Sequence, residues 1–256
     1  MNVEKVRAYF KRIGLEFPEN GENLQPTAEL LQSLHYAHCT TVPYENLDII
    51  RNIPLSLNED DIFRKVVSEG KGGYCFELNG LFGWLLRELG YKAEDRASRY
   101  LRGEAEIPMR RHRVLRVTAA DGTVWCCDVG IGEVCPRYPV QILEGVEQAQ
   151  LGECYRFRKD PFLGWVLQDL YRGEWRDFYS FTEEPQLTKD FVALSFYCEK
   201  HPDSPFIHQE MFSLKTADGR ITLDGHTLKV FHNDSVSVKE CTDEELPEAY
   251  AKFGLR

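Results

Sequence analysis

The 256-residue chain lacks any apolar run approaching the roughly 20 residues that span a bilayer. Its first residues, Met1-Asn2-Val3-Glu4-Lys5, begin a charged amphipathic segment where a secretory signal would place an apolar core. A cytoplasmic protein without membrane association is expected. Positive charge is also in short supply: 31 Lys and Arg against 41 Asp and Glu leave a net charge of -10. Nucleic acid and anionic membranes need a basic surface and are not expected partners. The eight cysteines include no C-x-x-C pair and no regular framework, and a chain this long needs no disulfide staples, so reduced thiols are expected. The His35/His38/Cys39 and Cys126/Cys127 groupings lack the paired spacing of a structural zinc site, and no metal is expected. There is no internal repeat and no low-complexity linker. At 43% hydrophobic and 28% charged residues, the composition is that of a folded chain forming one large domain or two to three units around a shared core.

What is present centres on Lys71-Gly72-Gly73-Tyr74-Cys75-Phe76-Glu77-Leu78-Asn79-Gly80-Leu81-Phe82. From Leu78 the apolar residues Leu78, Leu81, Phe82, Leu85, Leu86 and Leu89 recur at three-and-four spacing, with Gly90 as a C-terminal cap, so a helix starts near Cys75. The glycine pair turns the chain tightly into that helix, and the unpaired N–H groups of its first turn carry partial positive charge. Such a setting favours a thiolate, because a helix N-terminus with a nearby imidazolium brings a thiol from about 8.5 to roughly 3.5–7.5. The alternative, Cys75 as a small buried hydrophobe, stands unless a base is found. Glu77, one turn in, either favours the helix start electrostatically or gives structural support.

Asn2 caps a first helix to about Ile13, Thr27 begins a second ending before Pro43, and Asn58 caps a third closed by Gly70. Between them, residues 38–48 have no clean period and read as an irregular buried connection. After Gly90 the pattern turns to strands. His112–Thr118 and Val124–Val129 flank the turn signal Asp121-Gly122, which brings His112 and Asp128 side by side. A two-residue loop would set Leu115 opposite Asp128 and send His112 to the other face; a three-residue loop, Ala120-Asp121-Gly122, pairs Val114 with Asp128 and keeps His112 on the same face. The three-residue arrangement or a bulge is expected. Further strands at 154–158, 164–170 and 174–181 suggest a barrel or strongly curled sheet. Beyond a short helix at 190–197, a small meander runs over 212–230, and the capping box Thr242-x-x-Glu245 opens a closing helix.

Four blocks in order, Val42-Pro43-Tyr44-Glu45-Asn46-Leu47-Asp48, Gly72 through Asn79, the strand-borne His112, and Asp128-Val129-Gly130-Ile131-Gly132, resemble the arylamine N-acetyltransferase family. Weaker similarity extends to Ser204-Pro205-Phe206 and Ser213 through Gly219. The resemblance implies an α+β fold on a papain-like cysteine-nucleophile core with a Cys75-His112-Asp128 triad. It further implies a helical domain carrying the nucleophile (1–92), a β-barrel domain carrying His112 and Asp128 (93–195) and a small α/β lid (196–256). It implies acetyl-CoA as co-substrate, arylamines, arylhydrazines and N-hydroxyarylamines as acceptors, ping-pong kinetics through acetyl-cysteine, and a role in xenobiotic metabolism. Tyr44, Ile131 and Phe206 would line the acceptor pocket and Thr216 would contact the coenzyme. Equally, the first three fit as core residues and Thr216 as a turn residue.

Three positions depart from the family pattern. Lys71 stands where arginine is usual, so a supporting salt bridge loses its planar fork. Tyr44 replaces phenylalanine and adds a hydroxyl, and Ile131 replaces another phenylalanine and removes a ring from the acceptor side. The same triad serves cysteine proteases and transglutaminase-like proteins, and an amide synthase of the same family is a closer rival. An inert binding protein is the third class, which the intact Cys75, His112 and Asp128 argue against.

Overall fold

The computed structural model describes residues 1–18, 21, 24–233 and 235–255. Its first helices begin at the expected caps: Asn2 accepts from the Lys5 N–H at the start of α1 (Val3–Arg12), and Thr27 accepts from Leu30 at the start of α2 (Ala28–Thr41). The connection expected to be irregular is instead ordered, as a two-residue strand β1 (Tyr44–Glu45) and a four-residue helix α3 (Leu47–Ile50). Neither is long enough to show a period, and β1 finds its partner near the far end of the chain. Asn58 caps α4 (Glu59–Phe63), which runs on into a π-helical turn, Arg64–Ser68.

At the centre lies α5 (Cys75–Glu88), whose residues are buried on nearly every side. Leu78, Leu81, Phe82, Leu85 and Leu86 pack with Val6, Phe10, Leu31 and Leu34 from the first helices and with Leu115 and Val117 from the sheet. Burial all round marks a helix held by tertiary packing, since a surface helix would bury one stripe only.

Eight strands follow the order β5-β4-β3-β2-β9-β8-β7-β6. They are β2 (Lys92–Tyr100), β3 (His112–Thr118), β4 (Val124–Cys127), β5 (Val140–Gln141), β6 (Gln148–Gln150), β7 (Glu153–Asp160), β8 (Gly164–Tyr171) and β9 (Glu174–Phe181). The two edges nearly meet, and side-chain amides join them. Gln148 exchanges two hydrogen bonds with the backbone of Gln141 (2.7 and 2.9 Å), and Gln150 exchanges two with Tyr138 (both 3.0 Å). Each glutamine thus imitates a ladder pair, so the edge groups are satisfied in a barrel-like sheet without continuous backbone closure.

The β3–β4 hairpin turns through the three-residue loop. Thr118 pairs with Val124, Ala119 N–H donates to Thr123 O at 2.9 Å, and Gly122 takes φ +84°, which favours glycine. Leu115 pairs with Cys127; one step further, this register sets Val114 opposite Asp128 and keeps His112 on the face of Asp128.

Past α6 (Val192–Lys200), a second sheet has the order β1-β10-β11-β12-β13, built from β10 (Met211–Lys215), β11 (Gly219–Asp224), β12 (Thr227–His232) and β13 (Ser235–Glu240). Tyr44 pairs with Ser213 and Glu45 with Phe212, so a piece of the N-terminal region is the edge strand of the C-terminal sheet. The chain closes with α7 (Leu246–Ala251); of the expected capping box only the half in which Glu245 accepts from the Thr242 N–H is formed, and the helix begins a turn later, with Glu245 as its N-cap. Among the described residues no helix is long and apolar enough to cross a membrane, and no group of three or more His, Cys, Asp and Glu is arranged to hold a metal ion.

Candidate active site

Tyr74, in extended conformation, leads the chain into α5, and the Glu77 carboxylate accepts from its N–H at 3.1 Å. Glu77 therefore caps the helix that carries Cys75. It also meets Lys65, whose ammonium sits 2.9 Å from Glu77, 2.7 Å from Asp48 and 3.9 Å from Glu45. Burial pushes the Glu77 carboxyl up to about 7 against the pull of Lys65, while the surrounding carboxylates hold Lys65 firmly protonated. Lys71 plays no part in this network. It is more than half exposed and pairs with Glu69, so the ion pair beneath the nucleophile helix comes from Lys65.

Cys75 opens α5 at 3% exposure, and together with His112 it lines a cavity of about 320 Å³. His112 Nε2 lies 2.7 Å from the Asp128 carboxylate, which leaves Nδ1 as the ring nitrogen for proton exchange. Asp128 is buried behind the imidazole, and its other oxygen accepts from Asn79 Nδ2 at 2.9 Å and from the Gly130 N–H at 3.0 Å. Asn79 uses the rest of its amide as well, accepting from the Val129 N–H at 2.9 Å and donating to Arg113 O at 2.6 Å. His35 Nε2 accepts the Asp128 N–H at 3.2 Å. Gly130 seats this loop against α5: a Cβ there would stand 2.8 Å from Cys75 Cα.

The thiol itself corrects the sequence expectation of a lowered pKa. Burial, then the neighbouring Cys198 thiol and the Asp128 carboxylate, push Cys75 well above the ordinary thiol range, while backbone N–H groups of Arg113 and Phe76 pull the other way. The helix end is sealed under protein, so desolvation outweighs the favourable field. A thiolate at Cys75 thus requires a base within reach, and His112 faces the same cavity.

Comparison with known proteins fits this geometry. Residues 27–256 match the family model described as N-acetyltransferase. The arylamine N-acetyltransferase of Mycobacterium tuberculosis is 36% identical over 230 residues, covering 88% of this chain and 79% of that protein. The chain belongs to the arylamine N-acetyltransferase family. It is an acyltransferase. The Salmonella typhimurium protein named arylamine N-acetyltransferase / N-hydroxyarylamine O-acetyltransferase is 32% identical over 237 residues, 90% of this chain and 83% of its own. A solved arylamine N-acetyltransferase from Salmonella typhimurium superposes with a TM-score of 0.90 at 31% identity, covering 98% of this chain and 91% of that one. The Mycobacterium marinum enzyme in complex with CoA does so with a TM-score of 0.89 at 30% identity, covering 98% and 92%.

In this arylamine N-acetyltransferase family member, Tyr44, Ile131 and Phe206 all line the cavity of Cys75, beside Tyr100, Arg111 and Phe212. Ile131 also packs against both the helical and the barrel cores. Thr216 is not brought to the cavity. It sits at the β10–β11 turn, its hydroxyl 3.2 Å from Asp218 Oδ1 and its carbonyl accepting from Arg137.

Two residues escaped the sequence reading. Asn46 donates to Phe206 O and Gln209 O, both at 2.9 Å, and accepts from the Met211 N–H at 2.7 Å, so it fastens the segment that carries Phe206. Asn79 organises the Asp128 loop. Each stands inside a quoted block, and the available signal was its chemistry: an amide on a buried face must spend its four hydrogen bonds somewhere.

Proposed function

We propose that the protein transfers an acetyl group from acetyl-CoA to arylamine, arylhydrazine or N-hydroxyarylamine acceptors by a ping-pong route through acetyl-Cys75, with Cys75, His112 and Asp128 as the catalytic triad. The observation that carries this reading is the shared cavity: a nucleophile at a helix start and an Asp128-bound imidazole face one space with aromatic walls. The names of the related proteins and the CoA complex of a structural neighbour support the donor and acceptor classes.

In the first half-reaction Cys75 gives its proton to His112 as the sulfur attacks the thioester carbonyl, and His112 returns that proton to the departing coenzyme thiol. The N–H groups directed at Cys75 from Phe76 and Arg113 favour negative charge on the sulfur. Thiol exchange is nearly balanced in energy, so the acetyl group waits on Cys75. In the second half-reaction an amine attacks the acetyl carbonyl, passes a proton to His112 and displaces Cys75. Asp128 keeps the imidazole oriented and stabilises its charged form throughout.

On this reading Tyr44, Ile131 and Phe206 grip the flat acceptor and Thr216 contacts the coenzyme, with residues 1–92, 93–195 and 196–256 as the helical, barrel and lid units. The cytoplasm and xenobiotic metabolism complete the proposal. Initial rates over a grid of acetyl-CoA and an arylamine test it. Parallel double-reciprocal lines are expected; intersecting lines would require a ternary complex and remove the acetyl-enzyme.

A further inference from the structure

Behind the candidate active site lies a second sulfur cluster that the proposed transfer does not use. Cys39, in the last turn of α2, and Cys135, just after the Gly132–Val134 turn, bring their sulfurs to 3.4 Å from each other. His35 Nδ1 is 3.7 Å from the Cys39 sulfur, and the Cys135 S–H donates to the Asp128 carbonyl at 2.7 Å. Both sulfurs border a small cavity of about 10 Å³, near the minimum that holds a single water-sized molecule, whose walls Tyr44 and Gly132 also line the Cys75 cavity.

We propose that Cys39 and Cys135 are a peroxide-oxidisable dithiol whose disulfide reversibly disables the His112–Asp128 pair. The Cys39 sulfur attacks one peroxide oxygen: an S–O bond forms, the O–O bond breaks and the leaving hydroxide is protonated to water. The Cys135 sulfur then attacks the Cys39 sulfenic acid: the S–S bond forms, the S–O bond breaks, and the hydroxide leaves as water with the Cys135 proton. The two thiols supply both electrons, and one peroxide becomes two waters.

Cys39 is the attacking partner. Burial pushes its thiol up, but the facing Cys135 and the His35 ring outweigh that and hold it below the usual thiol range, whereas Cys135, whose one S–H is directed at Asp128 O, is pushed up by burial and by the facing sulfur. Closing the 3.4 Å gap to the roughly 2.05 Å of a disulfide draws the sulfurs together by about 1.4 Å and removes the hydrogen that Cys135 gives to Asp128 O. Asp128 would then lose one of the contacts that aim its carboxylate at His112.

The functional half of this inference rests on acetyl transfer through Cys75, so two measurements separate the claims. First, full-length Cys75→Ser is treated with hydrogen peroxide, alkylated under denaturing conditions and digested. A disulfide-linked peptide joining Cys39 to Cys135 is expected, and recovery of both as alkylated thiols would overturn the proposal whatever the reaction catalysed. Second, wild type and Cys39→Ser are exposed to peroxide with acetyl-CoA present, and turnover is read before and after dithiothreitol, relative to each reduced protein. Wild type should lose roughly 10²-fold and recover, as an ångström-scale misplacement near the reacting groups implies. Equal reversible losses in the two proteins would overturn the link to the active site.

Discussion

Asp128 is the residue at which the most contacts of the candidate site meet, through His112, Asn79, Gly130, His35 and Cys135. Asp128→Asn keeps most of that packing but presents an amide to the imidazole. We expect folded protein whose kcat falls roughly 10³–10⁴-fold, checked by turnover beside circular dichroism. Cys75 gives a test with a pH axis. Burial holds a Cys75 thiol without a base above the ordinary range, so in His112→Ala alkylation by iodoacetamide should climb only at pH above that of an ordinary thiol, while in wild type it should already be fast at neutral pH. Identical pH profiles would remove His112 as the base. Asn46→Ala frees the Phe206 segment without touching the sulfur, and the expected signature is a rise in acceptor KM larger than the fall in kcat.

At the scale of elements, the support beneath α5 is the point of interest. Lys65 is the cation shared by Glu45, Asp48 and Glu77, all poorly exposed. Lys65→Met strands those carboxylates, and thermal melts should report a loss of about 3–5 kcal/mol, against about 0–1 kcal/mol for Lys71→Met on the surface. Comparable losses would mean that the wrong lysine has been assigned to the core. What the sequence disclosed at this scale is local chemistry. The caps at Asn2, Thr27 and Asn58, the start of α5 and the Ala120-Asp121-Gly122 register were legible because each is decided by residues a few positions apart. Non-local pairing was hidden. Strand β1 is defined by partners in distant segments, Ser213 and Phe212 on one side and Gly73 on the other, β13 is exposed along its length so that the alternation Ser235-Val236-Ser237-Val238 marks no buried face, and the closure of the barrel by Gln148 and Gln150 leaves no trace in hydropathy. Lys65 went unnoticed for the same reason: three carboxylates from three segments define it.

For the whole molecule, the N-terminal and C-terminal regions share more than a cavity wall. The β1–β10 pairing and the three hydrogen bonds of Asn46 tie residues 44–46 to the segment 206–213, and Tyr44, Phe206, Met211, Phe212 and Ser213 among them line the cavity of Cys75. Ile131 and Tyr44 stand on this rim where the family pattern has phenylalanines, and the first contributes an aliphatic surface in place of a ring. The family, and with it the transferase reaction class, was legible because its four blocks hold the residues the chemistry needs. The raised thiol was not, since desolvation depends on what the folded protein places over the helix end. The most direct test is intact-protein mass after brief incubation with acetyl-CoA and no acceptor, followed by addition of an arylamine. One acetyl group should appear, map to Cys75, be absent in Cys75→Ala and leave on addition of the amine. No acetylation of the wild type, or acetylation and turnover that persist in Cys75→Ala, would contradict transfer through Cys75.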